Sequence, residues 1–210
     1  MKLFLSSMHP TNKDALLNLL EDSKQKNVTI IPTGWDTYPN ERKETELNHI
    51  FSTFKEFNLT YSLLDLVSAN EVAIRKKLDD TSLLWVMAGN TFYLNYHIHN
   101  SGLSNVISDY LEKGMIYGGE SAGAVIAGNT LHGVEKVDDP EESPDIVWEG
   151  LNLVNLGVLP HADWEKYKDQ IEEAKQEMQK NTEVLTINND QAVLIVDGNI
   201  KVIDNPSNKG

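Results

Sequence analysis

The sequence of 210 residues contains no cysteine. That excludes a disulfide framework, thiolate metal sites and a cysteine nucleophile. Arginine is scarce: Arg42 and Arg75 are the only two, and the net charge is −14. So acidic a surface repels phosphate backbones and anionic lipid, which disfavours nucleic-acid and membrane-surface roles. The apolar part of the opening Met1-Lys2-Leu3-Phe4-Leu5-Ser6-Ser7 is too short for a signal peptide or a spanning helix. There is no internal repeat, low-complexity block or interdomain linker. The expectation is a soluble, cytoplasmic protein, folded as a single domain over 1–204 with a polar tail at 205–210.

What is present is a regular alternation of strand-like and helix-like segments. Short apolar runs at Lys2 to Ser6, Val28 to Ile31, Leu59 to Leu64, Leu83 to Met87 and Met115 to Gly119 read as strands. Between them lie helical stretches: one after Thr11-Asn12-Lys13-Asp14, one over Glu41 to Phe57, and one opened by a capping box at Ser68-Ala69-Asn70-Glu71. Phe92 to Ile98 and Leu103 to Leu111 read as two more. This order predicts an α/β fold with a mostly parallel central sheet covered on both faces. Further on, Val134 to Trp148 reads as a long, acidic, functional loop. Leu153 to Leu159 reads as a strand, Trp164 to Gln179 as a helix, and Val184 to Ile187, Ala192 to Val196 and Ile200 to Ile203 as terminal strands. Asp197-Gly198-Asn199 signals a hairpin.

The segment with the clearest chemistry is Gly119-Glu120-Ser121-Ala122-Gly123. A serine in G-x-S-x-G between a strand and a helix has the context of a nucleophile elbow. It would project from the carboxyl edge of the sheet, where open α/β folds bind ligands. The Ala122 amide, at the helix start, can help hold an oxyanion. A serine nucleophile needs a base. Among the six histidines, His161 follows Leu156-Gly157-Val158-Leu159-Pro160 and falls at the same edge as Ser121, with His132 a weaker rival. Ala88-Gly89-Asn90-Thr91-Phe92 ends the neighbouring strand, and its amides can complete an oxyanion hole. The plainer alternatives are an idle serine in a glycine-rich turn, a loop histidine with a local hydrogen bond, and a helix cap at Asn90 or Thr91. No histidine spacing supports a metal site.

These three segments, in this order, resemble the peptidase E (aspartyl dipeptidase) family, serine peptidases with a class I glutamine amidotransferase-like fold. The resemblance implies a three-layer sandwich without cofactor. It makes Ser121 the nucleophile, His161 the general base, and Gly89 and Ala122 the sources of oxyanion amides. The substrate it implies is a short peptide, with a preference for N-terminal aspartate. Two departures stand out. The usual paired glycines are Ala88-Gly89 here, and Asn189 falls where the family often carries a glutamate as third member. Asp190, one residue on, and Asp138 or Asp139 are the other candidates to orient His161. For an acidic side chain Lys166 and Lys168 are the nearest candidates for a pocket cation, against the more expected reading that both face solvent on a charged helix, and Trp164, Tyr167, Asn90 and Thr91 are candidates to line the same cleft. A homodimer is left open. Two other readings stand beside this one. One is an α/β-hydrolase-type esterase, disfavoured because few residues follow Ser121. The other is a binding domain whose triad has decayed, favoured by Asn189.

Overall fold

The computed structural model describes residues 1–10, 12–23 and 26–204. The expected polar tail, and Thr11 of the first expected cap, lie outside the described residues. Among the described residues nine strands form, here called β1 (Lys2–Ser6), β2 (Asn27–Ile31), β3 (Thr60–Leu63), β4 (Leu83–Val86), β5 (Ile116–Glu120), β6 (Gly157–Leu159), β7 (Val184–Thr186), β8 (Gln191–Val196) and β9 (Asn199–Asp204). Seven of them make one sheet in the order β3-β2-β4-β5-β1-β8-β9. The first five in that order run parallel, and β8 and β9 close one side antiparallel. The α-helices of the described residues, α1 (Lys13–Leu19), α2 (Asn40–Glu56), α3 (Glu71–Leu78), α4 (Thr91–Asn100), α5 (Leu103–Glu112), α6 (Ala122–Ile126) and α7 (Lys168–Met178), complete the three-layer α/β fold.

The sheet explains why its central strands read as unbroken apolar runs. Successive side chains on a strand point to opposite faces, and both faces are covered. Leu3 and Leu5 of β1, with Leu84 and Val86 of β4, join one core with Ile74 of α3, Ile98 of α4 and Val106 of α5. Phe4 and Trp85, the residues between them, join the other with Leu16 of α1 and Ile50 and Phe54 of α2. Trp85 is fully buried and meets the Phe54 ring edge-on at 5.6 Å. Asp197 and Gly198 both take positive φ, 50° and 83°, as a tight hairpin between β8 and β9 requires.

Two expected elements differ. The strand expected over Leu153 to Leu159 is cut to Gly157–Leu159, because the preceding backbone is used elsewhere. The amides of Leu151, Asn152, Leu153 and Val154 bond to the carbonyls of Ile126, Gly128 and Ala127, so this segment caps the end of α6 instead of pairing with a strand. β6 then pairs with β7 in a separate two-stranded parallel sheet. The capping box at Ser68 is replaced by a single cap. Asn70 Oδ1 accepts from Ala73 N at 3.0 Å, while the Ser68 hydroxyl donates to Asp65.

Candidate active site

β5 leads without a break into α6, and Ser121 occupies the joint at φ 48° and ψ −109°. A non-glycine residue there is strained, and such strain clusters at functional sites. Two glycines permit the turn. A Cβ on Gly119 would lie 2.4 Å from the Gly123 carbonyl oxygen, and one on Gly123 would lie 2.2 Å from the Val86 carbonyl oxygen. Ser121 N donates to Ser6 O at 3.0 Å, which ties the turn to the end of β1.

His161 reaches the same place from the end of β6. Its own φ is 64°, and its amide donates to Ser7 Oγ at 2.9 Å. Its Nε2 lies 2.9 Å from Ser121 Oγ, and its Nδ1 lies 2.7 Å from Asn189 Oδ1. An amide oxygen only accepts, so Nδ1 carries the proton and Nε2 is free to accept from the serine hydroxyl. Asn189 is itself held, its backbone N–H donating to Asp163 Oδ1 at 2.8 Å. Burial lowers the His161 pKa below 6.5, against the opposing effects of the Asn189 hydrogen bond and the Asp163 charge.

Gly89 and Ala122 line the cleft with Ser121, and the amide of neither is spent on a hydrogen bond to another described residue. Gly89 has φ 127° and packs on Gly34, where any Cβ would meet backbone at 2.1 Å. The Ala88 methyl is accommodated without loss of the Gly89 amide.

Other expected site residues are placed differently. Asp190 is exposed and makes no bond to His161. Asp138 turns away from His161 as well, accepting from Thr91 N at 2.6 Å and Asn90 Nδ2 at 3.0 Å. Asp139 caps a 3₁₀ turn through Glu141 N. Asn90 does not line the cleft. It is 2 % exposed and its amide is consumed, accepting from Tyr93 N and donating to Asp138 and to Asp139 O. Lys166 is exposed outside the cleft, with its ammonium 4.8 Å from the Tyr167 ring centre, and Lys168 is exposed as well. Thr91 does line the cleft, and the long loop supplies Val134, Val137 and Asp138 to one wall.

The cleft has a volume of about 460 Å³. Several residues on it carried no motif. Arg42 and Glu46 come from α2, Trp35 and Tyr38 from the turn after β2, and His9 and Glu120 flank the serine. Glu120 is 1 % exposed, with its carboxylate taking Trp85 Nε1, Ala88 N and His9 Nδ1, each at 3.3 Å. Burial works to lower the His9 pKa, but the bond and charge of Glu120, helped by Glu46, outweigh it and hold it raised. Glu120 had a sequence signal in its position next to Ser121; Arg42 and His9 had none, since both arrive from distant elements. Among the described residues no group of three or more His, Asp or Glu side chains is placed to hold a metal ion.

Known proteins resemble the chain in sequence and in fold. An uncharacterised peptidase of Pasteurella multocida is 28 % identical over 195 residues, 92 % of this chain and 93 % of its own. A peptidase E of a Nostoc species is 27 % identical over 139 residues, covering 66 % of this chain and 53 % of its own. A crystal structure of a protein provisionally assigned to peptidase E, from Listeria monocytogenes, superposes with a TM-score of 0.84 at 24 % identity, over 97 % of this chain and 98 % of that one. The model of peptidase family S51 matches residues 3–203, and the chain belongs to that family of serine peptidases.

Proposed function

We propose that the chain hydrolyses short peptides through an acyl-enzyme on Ser121. His161 Nε2 takes the hydroxyl proton as Ser121 Oγ attacks the scissile carbonyl. The oxyanion that forms sits against the Gly89 and Ala122 amides, and His161 then protonates the leaving amine. Water, deprotonated by the same histidine, releases the acid. Asn189 holds the imidazole in the required tautomer without adding a negative charge, so the imidazolium is less stabilised than beside a carboxylate. A dipeptidase-like action on peptides with N-terminal aspartate is the substrate expectation brought by the family resemblance. The observation that carries the reading is the 2.9 Å Ser121–His161 contact at an elbow serine with positive φ. It also weighs against a decayed binding domain, where nothing would maintain that strained alignment.

The test is hydrolysis of a panel of dipeptides and amino-acid anilides, Asp-x and Glu-x members included, by wild type and Ser121→Ala. Loss of the serine is expected to lower kcat by at least about 10³-fold. Equal cleavage by the two proteins would sink the assignment of Ser121.

A further inference from the structure

We infer that Arg42 is the carboxylate-binding element of the substrate cleft. The inference rests on the peptidase reading above and adds the residue that receives a carboxylate of the peptide.

Arg42 lies in the first turns of α2 and reaches the cleft that also holds Ser121 and His161. Its guanidinium lies over two aromatic rings, 5.2 Å from the Trp35 ring centre and 5.0 Å from that of Tyr38. The two rings pack against each other at 4.9 Å, so they form a fixed bed. Stacking of this kind restrains a long side chain while leaving the N–H fork at its edge free to bond.

No carboxylate among the described residues takes that fork, although the chain carries 32 acidic residues against 18 basic ones. The reason is visible nearby: every acid on the cleft is already engaged. Glu120 and Glu46 both turn to His9, at 3.3 and 3.5 Å. Asp138 is occupied by the Thr91 amide and the Asn90 side chain. Asp36, next to the aromatic bed, is paired with Lys43, the residue after Arg42. Arg42 is thus a restrained, unpaired, permanently charged donor set, and no lysine lines the cleft among the described residues. A planar fork with free donors fits a carboxylate. On a peptide that group is either the side chain of an acidic first residue or the terminal carboxylate. In either case Arg42 fills the role for which Lys166 and Lys168 are the candidates in the sequence.

The experiment compares wild type and Arg42→Gln on Asp-Leu, Asn-Leu and Asp-Leu-amide. Arg42→Gln is expected to lower kcat/KM for Asp-Leu by about 10–100-fold, mostly through KM, since one charge-assisted contact is removed. The analogue that lacks the recognised carboxylate is poor for wild type and is not made poorer by the substitution. Loss confined to peptides with the aspartyl side chain assigns that carboxylate, and loss confined to those with a free terminus assigns the other. Binding of the same three peptides is also measured in Ser121→Ala with and without Arg42→Gln, where no chemistry intervenes. Retained, Arg42-dependent binding with no turnover by wild type would overturn the acyl-enzyme reading and keep the carboxylate site. An equal effect of Arg42→Gln on all three peptides, or none on any, or no binding at all, would overturn the inference about Arg42.

Discussion

At Nδ1 of His161 the bond is made by an amide, and this sets how the site responds to pH. Burial lowers the His161 pKa from 6.5, and Asn189 offers hydrogen bonding but no full charge against it. The base works only when neutral, so activity is lost as the pH falls through that pKa. The acid limb of kcat/KM is therefore expected below pH 6.5. In Asn189→Asp a carboxylate would favour the imidazolium and move the acid limb upward. A pH profile of the two proteins reads the shift directly, and an unmoved limb would show that residue 189 does not govern the base. The same carboxylate would better compensate the transition-state imidazolium, so the plateau rate should not fall.

Elements aim these groups through close backbone contacts more than through side chains. α6 can leave β5 at Ser121 only because Gly123 lies against the Val86 carbonyl of β4. Gly123→Ala puts a methyl at 2.2 Å from that oxygen, where only backbone can yield. Overpacking of this kind costs roughly 1–3 kcal/mol or more. A fall in unfolding free energy of that size, with activity lost beyond the fraction unfolded, is expected in denaturant titrations and assays of Gly123→Ala. A variant as stable and active as wild type would show the elbow to be looser than its geometry. Asn90, by contrast, belongs to the frame of the site: it caps α4 and fastens Asp138 of the loop to it.

Across the whole molecule, a histidine that the fold keeps dry contributes to the loss of stability in acid. His97 is 7 % exposed, and neither of its ring nitrogens has a partner among the described residues. Burial lowers its pKa below 6.5, against weaker raising effects of Asp36 and Asp65. The unfolded chain then takes up a proton that the folded chain refuses. The contribution is intact above pH 6.5 and is lost progressively as the pH falls from there towards the lowered native value. Melting wild type and His97→Gln between pH 7.5 and 5.5 tests this, with the approximate range chosen to bracket an ordinary histidine pKa. Wild type should lose more of its Tm on acidification than the variant. Parallel losses would assign the acid sensitivity to other groups.

Local chemistry was enough to specify the alternation of strands and helices, the glycine-flanked serine at a strand-to-helix joint, the Pro-His segment at a strand end and the closing hairpin. Each depends on neighbours within a few residues: periodicity, turn residues, or a glycine where no Cβ fits. The alignment with the family pattern leaves Asn189 and Asp190 level as groups to orient His161, and the fold puts Asn189 Oδ1 on His161 Nδ1 while Asp190 stays exposed. Tertiary structure alone decided the rest. Whether Leu153 to Val154 pairs as strand or caps α6 depends on which carbonyls lie opposite. Lys166 and Arg42 have similar local credentials, yet only the packing of α2 against the turn after β2 brings Arg42 into the cleft and leaves it unpaired. Charge near a site can be counted along a chain, but which cation stays free is settled by the partners that folding supplies to the others.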